Sequence, residues 1–166
     1  MPREKFMHTA RWRDVMRESG LDALVVASPN GIFYATGALL PAQLKASPSL
    51  AARLVDDRPT FAIVRENGDS VLLVSSRDAA SVRSETWADR VEVYDELDDN
   101  SIEHLGTLLR DMGLVGARLG LEHRYLTAAQ MRPLSKLLGN THVDACDEVL
   151  TKIRACLLYT SDAADE

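Results

Sequence analysis

The sequence is poor in the features that mark several large classes of protein. It has two cysteines, at positions 146 and 156, which are too few for a disulfide framework. No apolar run approaches the roughly 20 residues that span a membrane, and the N-terminus lacks the apolar segment of a secretory signal. The formal net charge of −6 does not indicate the positively charged surface that is typical of nucleic-acid-binding proteins. These absences predict a protein of the reducing cytoplasm with neither a membrane nor a nucleic-acid partner.

Side chains in the spacing of a catalytic or metal site are also lacking. The four histidines are scattered, and none lies four residues from another or beside a pair of cysteines. There is no Gly-x-Ser-x-Gly motif, and Gly113, Gly116 and Gly120 fit neither nucleotide-binding fingerprint. Cys146 has no neighbouring histidine, so we expect a small buried residue there rather than a nucleophile. The sequence therefore predicts no catalytic residue and no metal ligand within this chain.

What the sequence does contain is a strongly patterned stretch at residues 21–37. Its apolar run at 24–27 is short and rich in β-branched residues, which is typical of a strand buried on both faces. The Ser-Pro-Asn-Gly cluster that follows predicts a turn, because proline lacks a backbone donor and glycine accepts a positive φ. We interpret the stretch as the central strand and the turn at its carboxyl edge, where open α/β sheets usually bind ligands and partners.

The rest of the chain alternates between helical and strand patterns. The spacing of apolar residues predicts helices over 4–19, 77–84, 100–112, 127–139 and 147–154, and strands over 60–64, 70–74, 90–94, 117–121 and 141–144. Asn67-Gly68 predicts a hairpin between the first two of these strands. Asn100 with Glu103, and Thr127 with Gln130, are predicted capping pairs, and Pro133 is expected to bend or interrupt its helix. Residues 38–58 form a long segment with no clear pattern.

This order predicts one α/β domain of three layers. A mixed, mostly parallel sheet of about six strands would be covered by helices on both faces. With 166 residues, of which 46% are hydrophobic, the chain is long enough to bury a single core.

Residues 20–37 also carry a family resemblance. The pattern comprises Gly20 to Val26, then Ser28-Pro29, and then the spaced set Ile32, Tyr34, Thr36 and Gly37. It resembles the N-terminal domain of the creatinase, prolidase and aminopeptidase P family, the M24B or pita-bread metallopeptidases, over about residues 5–155, and the predicted domain is 1–155. Gly31 departs from the pattern, since the family commonly has asparagine before the isoleucine. The resemblance implies the creatinase N-terminal fold, which is ribonuclease-H-like.

The resemblance implies that catalysis belongs to a following pita-bread domain. There, a set of Asp, Asp, His, Glu and Glu would bind two divalent metal ions, Mn, Co or Zn, and act on the peptide substrate. The N-terminal domain would build a homodimer and lie over the active site of the partner subunit. A cation after the Tyr-x-Thr-Gly motif would contact the partner's substrate, and Arg58 is the first choice, ahead of Arg53 and Lys45. The alternative is that Arg58 is an ordinary solvated residue at the end of a loop.

The predicted function is that of a non-catalytic N-terminal domain, for dimerisation and substrate access, of an Xaa-Pro peptidase-like hydrolase. The chain by itself is expected to be inactive. One alternative is a stand-alone peptide- or protein-binding module of the same fold. Another is the N-terminal part of an enzyme that hydrolyses creatine or ectoine rather than peptides.

The last eleven residues, 156–166, do not fit this pattern. They resemble a translated sequencing adapter, and the family resemblance stops at residue 155. We therefore expect them to be a non-native tail, and we expect the reading frame to have been cut before its catalytic domain.

Overall fold

A computed structural model describes residues 9–40, 59–95, 97 and 100–162, with side chains through residue 155. Its helices are α1 Thr9–Glu18, α2 Pro29–Thr36, α3 Ala79–Arg83, α4 Ser101–Asp111, α5 Ala128–Leu138 and α6 Asp147–Asp162. Its strands are β1 Ala23–Val26, β2 Phe61–Arg65, β3 Ser70–Ser75, β4 Arg90–Tyr94, β5 Arg118–Leu121 and β6 His142–Ala145. A 3₁₀ turn, His123–Tyr125, follows β5.

The six strands form one mixed sheet in the order β4-β3-β2-β1-β5-β6. Three neighbouring pairs, β3 with β4, β1 with β5, and β5 with β6, are parallel, whereas β2 is antiparallel to both of its neighbours. All four residues of β1 are buried, and β1 has a paired strand on each side. The predicted central strand, the mixed sheet and the hairpin at Asn67-Gly68 are therefore confirmed.

Helices cover both faces of the sheet, which confirms the three-layer arrangement. One core cluster joins β1 side chains such as Leu24 and Val26 to Trp12 of α1, Ile32 of α2 and Leu150 of α6. The other cluster lies on the opposite face and is filled by α4 and α5. It joins Ala23, Val25, Phe61, Ile63, Leu105, Leu109, Leu134 and Leu138. Alternate residues of β1 enter opposite cores, as the two-residue period of a strand requires.

The predicted turn after β1 is wrong, because the chain forms the two-turn helix α2 there. Ser28 caps this helix, and its Oγ accepts a hydrogen bond from the Gly31 N–H at 3.1 Å. Pro29 occupies the first turn, where its missing N–H costs no helical hydrogen bond. Serine followed by proline is a helix-start signal, and here it outweighs the usual reading of Pro and Gly as breakers. The helix ends at Gly37, which has a positive φ of 68°.

The three capping and breaking predictions have different outcomes. Thr127 and Gln130 form the predicted capping box at the start of α5. Asn100 makes no side-chain capping bond, so the predicted pair with Glu103 is wrong. Pro133 does not interrupt α5, which continues to Leu138. Proline removes only one backbone donor, and the neighbouring turns and the packing of the helix against the sheet keep it helical.

The final helix begins at Asp147 as predicted, but its backbone stays helical to Asp162 rather than ending near residue 154. The side chains of the predicted tail lie outside the described residues. The non-native origin of the tail therefore stays a prediction.

Candidate functional site

The carboxyl ends of three parallel strands meet at one edge of the sheet and enclose a cleft of about 560 Å³. Ser28 and Asn30 enter it after β1, Glu122 and Arg124 after β5, and Asp147 with residues of α6 after β6. Because the strands are parallel, residues far apart in sequence reach the same edge. We call this space the switch-point cleft. It is the edge where the sequence predicted ligands or partners to bind.

The connections after β1 and β5 leave the sheet on opposite faces. The helix after β1 packs into the cluster that contains Ile32, whereas the helix after β5 packs into the cluster that contains Leu134. Two adjacent parallel strands whose connections diverge in this way leave a crevice between them. Such crevices are the usual ligand sites of open α/β sheets.

Glu122 forms the floor of the cleft and ties β5 to the end of β1. Its side chain is buried, with only 2% of its surface exposed. One oxygen, Oε2, accepts hydrogen bonds from the backbone N–H of Ala27 at 2.9 Å and of Ser28 at 2.7 Å. The Glu122 N–H donates in turn to the Val25 carbonyl at 3.1 Å. The carboxylate thus satisfies two backbone donors at the point where β1 ends and α2 begins.

Close packing at the start of α2 explains why glycine occupies position 31. A Cβ added there would overlap Val26 Cγ1 and lie 2.6 Å from Ser28 Oγ. It would also lie 3.6 Å from Glu122 Oε2. The departure from the family pattern at Gly31 therefore coincides with a tight approach of helix, strand and carboxylate.

Charged side chains of both signs line the cleft without pairing with one another. Asp147 and Glu148 begin α6, Lys152 lies one turn further along it, and Arg124 lies in the 3₁₀ turn after Glu122. Within the described part of the chain, none of these four side chains forms a hydrogen bond or an ion pair. They remain available to an external group.

The buried thiol of Cys146 lies directly behind the cleft. It is completely buried, as the sequence predicted, and burial raises its pKa above the usual 9.0, with the nearby carboxylates of Glu122 and Asp147 raising it further. A nucleophilic role requires the opposite shift, because the thiolate is the reactive form. The sequence prediction of a structural cysteine is thus supported by its surroundings.

The raised pKa of Cys146 predicts a loss of stability in alkali. The thiol ionises near pH 9.0 in the unfolded chain, whereas burial raises its pKa in the folded one. Its contribution to the free energy of unfolding is therefore complete below that pH and falls by about 1.4 kcal/mol per pH unit above it. Urea unfolding of the wild type and of Cys146→Ala over the alkaline range measures the two slopes. Parallel slopes for the two proteins would contradict this assignment.

The other candidate residues are distributed as follows. Arg58, Arg53, Lys45 and His8 lie outside the described residues, so their predicted roles stay predictions. His142 lies in β6 at a sheet edge and contacts Asp144 at 3.0 Å. No group of three or more His, Cys, Asp or Glu side chains in the described part of the chain is arranged to hold a metal ion.

The sequence analysis did not identify Glu122, although the position of this residue in the sequence could have indicated its role. An acidic residue directly after an apolar strand lies at the edge where parallel strands end. Its hydrogen-bond partners are 94 and 95 positions away, so no local pattern indicates them.

Comparisons with known proteins agree on the domain type. A family model described as the creatinase/prolidase N-terminal domain matches residues 9–156. No curated protein gives a match. None of the helices in the described part of the chain is long and apolar enough to cross a membrane.

Solved structures from several organisms have a similar fold. A prolidase from Pyrococcus horikoshii OT3 is 16% identical with a TM-score of 0.60, and the match covers 88% of this chain and 34% of that one. An X-Pro aminopeptidase from Thermotoga maritima MSB8 is 18% identical with a TM-score of 0.64, covering 90% and 36%. A proline dipeptidase from Streptococcus pneumoniae TIGR4 is 17% identical with a TM-score of 0.67, covering 90% and 98%. The chain thus spans about a third of the first two proteins and nearly all of the third structure.

Proposed function

Because the chain belongs to the creatinase/prolidase N-terminal domain family, we propose that it is the non-catalytic N-terminal part of an Xaa-Pro peptidase-like hydrolase. The observation that carries the proposal is the family match over residues 9–156. The lengths of two of the similar structures support it, since the chain spans only 34% of a prolidase and 36% of an X-Pro aminopeptidase. In this proposal, the remaining length of the parent enzyme would contain the catalytic domain.

The domain would form a homodimer and shape access to the catalytic site of the partner subunit. A cation in the segment after the Tyr34-x-Thr36-Gly37 motif would bind the carboxylate of the partner's substrate through charge-assisted hydrogen bonds. Arg58 is the proposed residue, with Arg53 and Lys45 as weaker choices. The cytoplasm is the proposed compartment, and the buried free thiol of Cys146 accords with reducing conditions.

The described residues of this chain do not fit a pair of divalent metal ions, because they offer no cluster of three or more suitable ligands. We therefore assign the two ions, Mn, Co or Zn, to the proposed catalytic domain. Their chemistry there would be to activate a water molecule for attack on a peptide carbonyl. The role of this domain would be confined to assembly and access.

The first test is an activity assay of the chain as it stands. Purified protein with added Mn²⁺ or Co²⁺ is expected to leave an Xaa-Pro dipeptide intact, measured as released proline. A full-length Xaa-Pro aminopeptidase under the same conditions is the positive control. Metal-dependent turnover by the chain alone would show that it contains a catalytic site and would overturn the proposal.

Extending the gene sequence beyond residue 166 tests the same proposal independently. The downstream codons are expected to encode the Asp, Asp, His, Glu and Glu ligand set. A natural stop codon directly after Glu166 would contradict the proposal. A long downstream region without those ligands would instead favour the binding module or a metal-free enzyme.

A further inference from the structure

We propose that the switch-point cleft binds a small zwitterion of the amino-acid type. The ligand's ammonium group would be held by Glu122 and Asp147, and its carboxylate by Arg124 and Lys152.

The balance of charge in the cleft favours a ligand that carries both signs. Three acidic and three basic side chains line it, namely Glu122, Asp147, Glu148, Arg124, Lys152 and Arg154. A simple anion would meet the carboxylates, and a simple cation would meet the guanidinium and ammonium groups. A zwitterion can satisfy both sets by charge-assisted hydrogen bonds.

The second observation is that the described charged side chains of the cleft form no ion pairs with one another. In the described part of the chain, Arg124 and Lys152 pair neither with Asp147 nor with Glu148, although all four line the same space. A bound molecule with two charged ends would bridge the gap between them.

The hydrogen bonding of the Glu122 carboxylate is the third observation that supports the proposal. Its Oε2 is occupied by two backbone donors, whereas Oε1 has no hydrogen-bond partner among the described residues. The carboxylate lines the cleft and is almost wholly buried. A carboxylate oxygen that no protein donor occupies can accept a hydrogen bond from a ligand, and an ammonium group supplies three donors.

The size of the cleft is consistent with this class of ligand. Its volume of about 560 Å³ lies within the usual range for small-molecule sites. Tyr125, which is 41% exposed, adds an aromatic surface at the rim. The space would accept a free amino acid or the end of a short peptide.

Matched probes test the need for both charges. Isothermal titration with L-alanine is expected to give saturable binding, whereas propionate and ethylamine, which each lack one charge, should bind at least about tenfold more weakly. Dialanine distinguishes the two sources of the ligand. Tighter binding of alanine favours a free amino acid, and tighter binding of dialanine favours a peptide end.

Matched variants assign the binding to this cleft. Glu122→Gln keeps an acceptor for the two backbone donors, and it is expected to weaken alanine binding at least about tenfold, as is Arg124→Gln. The controls are Glu103→Gln and Arg13→Gln, which remove the same charges from exposed positions elsewhere and should leave affinity unchanged. Chemical shifts of backbone amides verify that each variant is folded.

Three outcomes would overturn the proposal. The first is the absence of saturable alanine binding. The second is equal binding of alanine and propionate, which would indicate a simple anion site. The third is alanine binding that Glu122→Gln and Arg124→Gln leave unchanged.

Discussion

Replacing Glu122 with alanine is expected to lower the free energy of unfolding by about 3 kcal/mol. The change removes the acceptor of the Ala27 and Ser28 N–H groups, which donate to it at 2.9 and 2.7 Å. Both residues are buried in the intact protein, so their N–H groups depend on this carboxylate as their acceptor. An unsatisfied buried donor costs about 1–3 kcal/mol, and this substitution creates two. Urea unfolding followed by circular dichroism measures the difference.

Glu122→Gln is the control that separates the hydrogen bonds from the negative charge. The glutamine carbonyl can accept both N–H groups, so this variant is expected to lose only about 1 kcal/mol. Glu103→Ala removes an exposed carboxylate from the first turn of α4 and should cost about 0.5 kcal/mol. If Glu122→Ala were no more destabilising than Glu103→Ala, Glu122 would not be the structural link we describe.

Gly37→Ala is the second substitution expected to have a large effect, at about 3 kcal/mol or more. Gly37 has a left-handed backbone with a φ of 68°, which costs an alanine about 1–2 kcal/mol. In addition, a Cβ there would overlap the ring of Trp87. That ring is held in place, because its Nε1 donates to the Ala35 carbonyl at 3.2 Å. The ring cannot move aside without breaking this bond.

Gly113→Ala provides a matched control for the cost of placing alanine in a left-handed backbone conformation. Gly113 has a φ of 70°, but a Cβ there would meet no atom within 4 Å. It should therefore show only the cost of the left-handed conformation, about 1–2 kcal/mol. Thermal and urea unfolding of the two variants gives the steric part by difference. Equal losses at the two positions would mean that Trp87 does not constrain Gly37.

Local patterns predicted most of the fold because they are properties of neighbouring residues. The apolar run of β1 and the Asn67-Gly68 hairpin each depend on a few adjacent positions. The segment after β1 was misjudged because Ser28 and Pro29 serve equally well in a turn and at a helix start. The Ser28 cap and the packing of Ile32 and Ala35 into the core together select the helix.

The switch-point cleft could be predicted only in outline. Its position follows from parallel strands and diverging connections, which a correct strand order supplies. Its chemistry depends on Glu122 and Arg124, which follow β5, and on Asp147, which follows β6. Nothing in the sequence around Asp147 indicates the other two, because its proximity to them arises only when the sheet is assembled.

The bond from Glu122 to the end of β1 also bears on how the chain folds during synthesis. Its partners are separated by 94 and 95 positions, and the parallel pairing of β1 with β5 spans a similar interval. Contacts of such long range carry a high loop-closure cost and form late. A nascent chain that has not yet emerged as far as β5 leaves one side of β1 as an open sheet edge. Until then, that apolar strand is exposed to wrong pairing, and chaperone contact is most useful during this interval.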